Sequence, residues 1–166
     1  MSATPTTTAR YYDTKAPLYG ISTVRFEKIK TLLSSIKNSR ILDIGCANGY
    51  VGGYFKSKGN YVVGFDISKK AITHARRTLD NAFVVDLEND PLPRLKPFDV
   101  LILSEIVEHL FQPEQTVQRL IKYLKPKGLL LITTPNIMYW GNRIQFLKGK
   151  FTYEKQGHFD ESHVHF

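Results

Sequence analysis

Four acids close apolar runs in this chain: Asp43 in ILDIG, Asp66 in VVGFD, Asp86 in FVVD and Glu105 in LILSE. A carboxylate at a strand tip can accept hydroxyl or amine donors from a ligand lying across the ends of a sheet. The first acid leads into Gly45, Ala47 and Gly49, three small residues at alternate positions. A turn of that kind lets backbone come very close to a ligand. Four of the five histidines add proton chemistry near neutrality: His109 in SEIVEHL, and His158, His163 and His165 in GHFDESHVHF.

The glycine turn argues against two ligand classes. A dinucleotide fingerprint needs G-x-G-x-x-G, and counting from Gly45 the last position is Tyr50, whose ring would hold the helix off the strand. A Walker A loop needs G-x-x-x-x-G-K-[ST], a string the chain lacks. Asp66 follows the turn by about 20 residues, the spacing at which a carboxylate takes the ribose hydroxyls of an adenosine. Asp86 closes the third strand, where it meets an adenine amino group. An acidic rim without a phosphate cradle points to an adenosine compound that has no pyrophosphate.

These residues need a parallel sheet to place them. Apolar runs RILDIG, YVVGFD, AFVVD, FDVLIL and GLLLITT read as strands, buried on both faces. Between them GYVGGYFKSK, SKKAITHARRTL and PEQTVQRLIKYL read as helices, the second capped by Ser68 and the third opened by Pro113. KPKG ends the third. An earlier helix carries Val24, Phe26, Ile29, Leu32, Leu33 and Ile36 at helical spacing. The first ten residues read as frayed.

At 166 residues the chain is one domain with room for a single core, and 42% hydrophobic with 23% charged residues is ordinary for a globular protein. No apolar run spans a bilayer, the polar N-terminus resembles no signal peptide, and the lone Cys46 makes no internal disulfide. The expected location is cytoplasmic. The net charge is +8, and from Arg119 to Lys155 the basic residues meet only Glu154. That flank reads first as a solubilising surface, with nucleic acid as the weaker partner reading.

In order, ILDIGCANG, VVGFDIS, FVVDLE, FDVLILSEIVEHL and LKPKGLLLITTPN resemble the motifs of class I S-adenosylmethionine-dependent methyltransferases. The nearest set is the type 11/12 group, and the likeness runs from Tyr11 to the last residue. It implies an α/β, Rossmann-like three-layer α/β/α fold with a mainly parallel sheet of order 3-2-1-4-5. The family's usual C-terminal hairpin of strands 6 and 7 has no residues here. Three segments follow: a flexible N-terminus (1–10), a donor-binding core (11–136) and a substrate-side tail or lid (137–166).

By position, the resemblance implies that Gly45, Ala47 and Gly49 approach the methionine part of S-adenosyl-L-methionine, with Asp43 helping to hold its ammonium end. Asp66 takes the ribose, Ile67 packs on the adenine, and Asp86 with the backbone of Leu87 meets the adenine edge. Ser104 lies under the sulfonium, and Tyr12 and Tyr19 cover the donor. Ala47 stands where glycine is commoner; one methyl group is a small intrusion, and binding is expected to survive. The product would be S-adenosyl-L-homocysteine.

Methyl transfer is an in-line displacement that needs alignment and exclusion of water. A hydroxyl acceptor also needs a base, and His109 or His165, with Glu105 near the pocket mouth, is the expected source. The acceptor is a small molecule; the aromatic tail is similar to that of bacterial methyltransferases of surface sugar and lipid synthesis. Two alternatives stand beside this. Glu105, Glu108 and His109, three residues of one helical turn, resemble with a tail histidine the metal centre of small-RNA 3′-terminal 2′-O-methyltransferases, although the leading expectation is no metal. Or the chain binds the donor without turnover, as a regulatory module. An apolar fifth strand at a sheet edge invites self-association or a partner.

Overall fold

The computed structural model describes residues 7–15, 21–150 and 162–164. Helix α1 (Thr7–Lys15) and helix α2 (Thr23–Leu32) precede an alternation of strands and helices. Strand β1 (Arg40–Ile44) leads through α3 (Tyr50–Ser57) to β2 (Tyr61–Asp66), and α4 (Lys69–Thr78) to β3 (Asn81–Val84). Then come β4 (Phe98–Ser104), a 3₁₀ turn (Val107–His109), α5 (Pro113–Ile121), β5 (Leu124–Thr133) and α6 (Trp140–Leu147). The five strands form one parallel sheet in the expected order β3-β2-β1-β4-β5. Order reverses between β1 and β4, so the tips of those strands open the crevice in which ligands of such sheets sit.

Period-two alternation along the strands feeds two cores. Ile41, Val62, Val100 and Ile102 face Ile29, Leu33, Phe55 and Ile72 on one side of the sheet. Leu42, Ile44, Val63, Phe65, Leu101 and Leu103 face Leu120 and Tyr123 on the other. Each fully buried side chain of this size contributes about 1.5–3 kcal/mol. Both faces being covered is why these strands are apolar throughout.

Local details differ from the expectations in instructive ways. Helix α1 begins at Thr7, inside the stretch read as frayed, because Asp13 on it accepts from Ser68 Oγ at 2.6 Å and ties the helix to the start of α4. In α2, Val24 and Leu32 are each 67% exposed; Ile29 and Leu33 are the inward positions. Tyr50 does not hold α3 away from the sheet: it is the first residue of α3, points outward, and rests on Phe26 with ring centroids 4.9 Å apart. Close approach is made instead by Gly52 and Gly64, where an added Cβ would lie 2.8 Å from Leu79 and 2.5 Å from the Cys46 sulfur. The KPKG turn is not only a helix stop; it bulges into β5, with Lys127 at φ 63°. Ser68 does cap α4, accepting from Ala71 N–H at 3.1 Å, and Pro113 does open α5.

Strand β5 lies at the edge of the sheet, and among the described residues nothing pairs with its outer side. Leu129 and Ile132 on it are about two-fifths exposed. No helix among the described residues is long and apolar enough to cross a membrane.

Candidate active site

The loop after β1 is built on backbone geometry that few residues accept. Gly45 (φ 70°), Ala47 (φ 47°) and Gly49 (φ 84°) all lie in the left-handed region. Glycine takes that conformation freely; Ala47 takes it at a cost of about 1–2 kcal/mol. The loop is pinned at both sides. Gly45 and Cys46 donate their N–H groups to the Phe65 carbonyl at 2.8 and 2.9 Å, and Ala47 N–H donates to Asp66 Oδ2 at 2.9 Å. The other oxygen of Asp66 accepts Ser68 N–H at 2.8 Å. So the acid at the tip of β2 joins the glycine turn to the cap of α4.

Asp43 is 2% exposed and its Oδ2 accepts Gly52 N–H at 3.0 Å, binding the first turn of α3 to the strand. Burial pushes its carboxyl up to about 7; the Gly52 amide pulls down and the Asp66 charge pushes up. Burial also raises Asp66, against the amides of Ser68 and Ala47. Ile67, next to it, is half-buried. Asp86 falls two residues beyond β3 and shapes its own turn, accepting Glu88 and Asn89 N–H at 3.1 and 3.2 Å. The Leu87 carbonyl beside it is held by Arg119 at 2.9 Å.

At the tip of β4, Ser104 Oγ lies 3.0 Å from Thr133 Oγ1, whose hydroxyl donates to Glu105 at 3.3 Å. Glu105 sits at φ 56°, a strained conformation for a residue with a side chain. That strain redirects the chain: Glu105 and Glu108 do not share a helix face, since Glu105 precedes a single 3₁₀ turn that carries only Val107–His109. What links the two acids is Arg25 of α2. Its guanidinium lies 2.6 Å from Glu105, and its positive charge opposes the burial that pushes Glu108 up to about 7.

Arg25, which pairs with Glu105 at this rim, is a residue that the sequence reading passed over. The signal was present, because Arg25 precedes inward-facing Ile29 by one helical turn. Asp13 was also missed; an acid in a polar terminal helix carries no periodic signal at all.

His109 Nδ1 lies 3.2 Å from the Ser162 carbonyl and 3.1 Å from Ser162 Oγ. Its ring is 4.7 Å from that of His163 and 6.0 Å from that of Tyr12, so residues of α1 and of the tail both reach His109 just beyond the β4 tip. Ligand atoms of Glu108, His109 and His163 all lie within 4.8 Å of one another. Both oxygens of Glu108 are buried without a hydrogen-bond partner among the described residues. Tyr19, His158 and His165 lie outside the described residues. A shallow groove lies elsewhere, on the outer face of α2 along Val24, Lys28 and Leu32.

A model of the family described as a methyltransferase domain matches residues 21–165. The chain belongs to that family. This methyltransferase-domain chain is similar to a ubiquinone biosynthesis O-methyltransferase of Bordetella avium, 28% identical over 137 residues, which are 77% of the chain and 57% of that protein. The match thus spans about half the length of these curated relatives. Among solved structures it resembles the N-methyltransferase NodS of Bradyrhizobium japonicum in complex with S-adenosyl-L-homocysteine, with TM-score 0.57, 23% identity, and coverage of 66% of this chain and 59% of that one. It also resembles the [4+2]-cyclase SpnF, with TM-score 0.64, 18% identity, and coverage of 76% and 59%. At such identities the likeness concerns the fold, and one methyltransferase-domain fold evidently carries more than one chemistry.

Proposed function

We propose that this chain is the donor-binding core of an S-adenosyl-L-methionine-dependent methyltransferase that methylates a hydroxyl of a small sugar or lipid-linked acceptor. One observation carries it: the left-handed loop after β1 is tied by the Ala47 amide to Asp66 at the neighbouring strand tip. The donor set fits an adenosine. A carboxylate offers about four acceptor positions; Ala47 and Ser68 occupy one on each oxygen of Asp66, and the remainder match the two hydroxyls of a ribose. Ile67 supplies an apolar surface beside it for the adenine, and Asp86 with Leu87 borders the next strand tip. In this reading the amino-acid end lies along the left-handed turn of Gly45, Ala47 and Gly49, in which Gly45 packs against Ile106 and Gly49 against Ala75 and Leu79, and Asp43 holds the loop from behind. Ser104 at the β4 tip faces the sulfur side and Tyr12 covers the donor; Tyr19, to which the resemblance gives the same role, lies outside the described residues.

When bound, the donor supplies an electrophilic methyl group. The protein's part is alignment, exclusion of water and removal of the acceptor proton. His109 is our base, with Ser162 fixing its ring, Glu105 polarising the rim, and His165 as the second candidate. The printed name of the curated relatives, O-methyltransferase, supports a hydroxyl acceptor. The test is calorimetric titration of S-adenosyl-L-homocysteine into the protein and into an Asp66→Ala variant, followed by transfer of label from labelled donor to extracts. Loss of Asp66 should weaken binding by at least about 10-fold, the value of one charge-assisted hydrogen bond. Unchanged affinity would remove the site, and binding without transfer would favour a regulatory module.

One observation favours a second reading. The clustering of Glu108, His109 and His163 suits a divalent cation, with the chemistry of an RNA 2′-O-methyltransferase. Arg25 argues against it, since a guanidinium already neutralises the neighbouring acids. Turnover that persists in a strong chelator would eliminate the metal.

A further inference from the structure

We infer that the outer face of α6 is a docking surface for an anionic lipid bilayer. At 100° per residue, with Trp140 as the origin, Leu147 and Ile144 fall at about −20° and 40°, a narrow apolar stripe. Arg143 borders it on one side at about −60° and Lys148 on the other at about 80°. The stripe faces solvent: Trp140 is 65%, Ile144 42% and Leu147 88% exposed, with Met138 just before the helix at 61%. Asn142 and Phe146, on the opposite side, are the positions turned toward the protein.

An apolar stripe by itself does not say what covers it. Its borders do. Arg143, Lys148 and Lys150 are all exposed, and the chain carries no acid between Glu114 and Glu154. Cations flanking a Trp/Ile/Leu stripe on both sides are the arrangement of a helix lying in a bilayer interface, with the apolar residues below the headgroups and the bases among the phosphates. A protein partner would need only the stripe. Helix α6 also follows the tip of β5, on the rim of the sheet that carries Asp66, Asp86 and Ser104. A docked bilayer would therefore lie on the side from which a lipid-linked acceptor reaches the donor. The inference stands on the surface alone, whether or not methyl transfer holds.

Attachment through one short helix should be reversible and salt-sensitive. Trp140 is the chain's only tryptophan, so its emission reports directly on this face. The experiment mixes the whole protein with phosphatidylcholine vesicles, with and without phosphatidylglycerol, and reads flotation and Trp140 emission at low and high salt. We expect a blue shift and flotation with the anionic vesicles, weakened by salt. The Ile144→Ser/Leu147→Ser variant should partition about 10-fold less, and Arg143→Glu/Lys148→Glu should lose the preference for anionic vesicles. Both variants should bind S-adenosyl-L-homocysteine as the parent does, which separates this test from that of the donor site. No shift with anionic vesicles, equal binding to neutral ones, or a stable dimer that buries Trp140 would each overturn the inference.

Discussion

Neutralising Asp43 while preserving its hydrogen bond should change how stability depends on pH. The carboxyl is buried at the foot of the glycine loop, and its value rises from 3.8 to about 7 because burial outweighs the Gly52 amide. Below about pH 4 both the native and unfolded chains hold this proton, and Asp43 contributes no dependence. Between about 4 and 7 the unfolded chain has lost it and the native chain keeps it, so stability falls as pH rises. Above about 7 the native carboxylate is ionised too, and the loss is complete. At about 1.4 kcal/mol per pH unit the total is on the order of 4 kcal/mol. In Asp43→Asn the amide oxygen still accepts Gly52 N–H, but nothing ionises. Urea unfolding at pH 4.5 and pH 8 should show the variant no more stable than the parent in acid, and gaining on it by up to about 4 kcal/mol in alkali. Asp66, also raised by burial, leaves a residual slope of the same sign in both proteins. Parallel pH profiles for parent and variant would refute the account of a proton held behind the loop.

Three further outcomes follow from the same geometry. Ala47→Gly relieves a left-handed alanine but loosens the unfolded chain, so thermal unfolding should show a net gain of about 0–1 kcal/mol; a loss above 1 kcal/mol would be inconsistent with the turn. Gly64→Ala places a methyl group 2.5 Å from the Cys46 sulfur and 2.6 Å from Leu79, and denaturant unfolding should register a cost of about 1–3 kcal/mol. Arg25→Gln leaves Glu105 and Glu108 without their shared cation; because the pair is partly exposed, we expect about 1–3 kcal/mol of destabilisation, much of it recovered when Glu108→Gln is added. Additive effects of those two substitutions would show that the residues are not coupled.

What the sequence by itself determined was the sheet and its tips. Strands buried on both faces must be apolar throughout, so RILDI, YVVGFD and FDVLILS announce themselves, and their terminal acids mark the rim. Small residues at 45, 47 and 49 announced the tight turn for the same local reason: the left-handed region penalises any larger side chain. The helix starts at Ser68 and Pro113 were legible because a cap is a matter of a few neighbouring residues.

What only the tertiary structure decided was which side chains meet across the chain. Arg25 joins Glu105 over 80 residues of sequence, Asp13 reaches Ser68, and Ser162 reaches His109. No local period encodes such meetings, since each depends on where a helix comes to rest on the finished sheet. The same holds for Tyr50 and Gly52. Their spacing places both on α3, but only the docked helix settles that the ring turns outward and the glycine takes the close approach. Glu105 shows the limit most plainly: its residue type suits a helix, and the end of a buried parallel strand forces it into a left-handed turn instead.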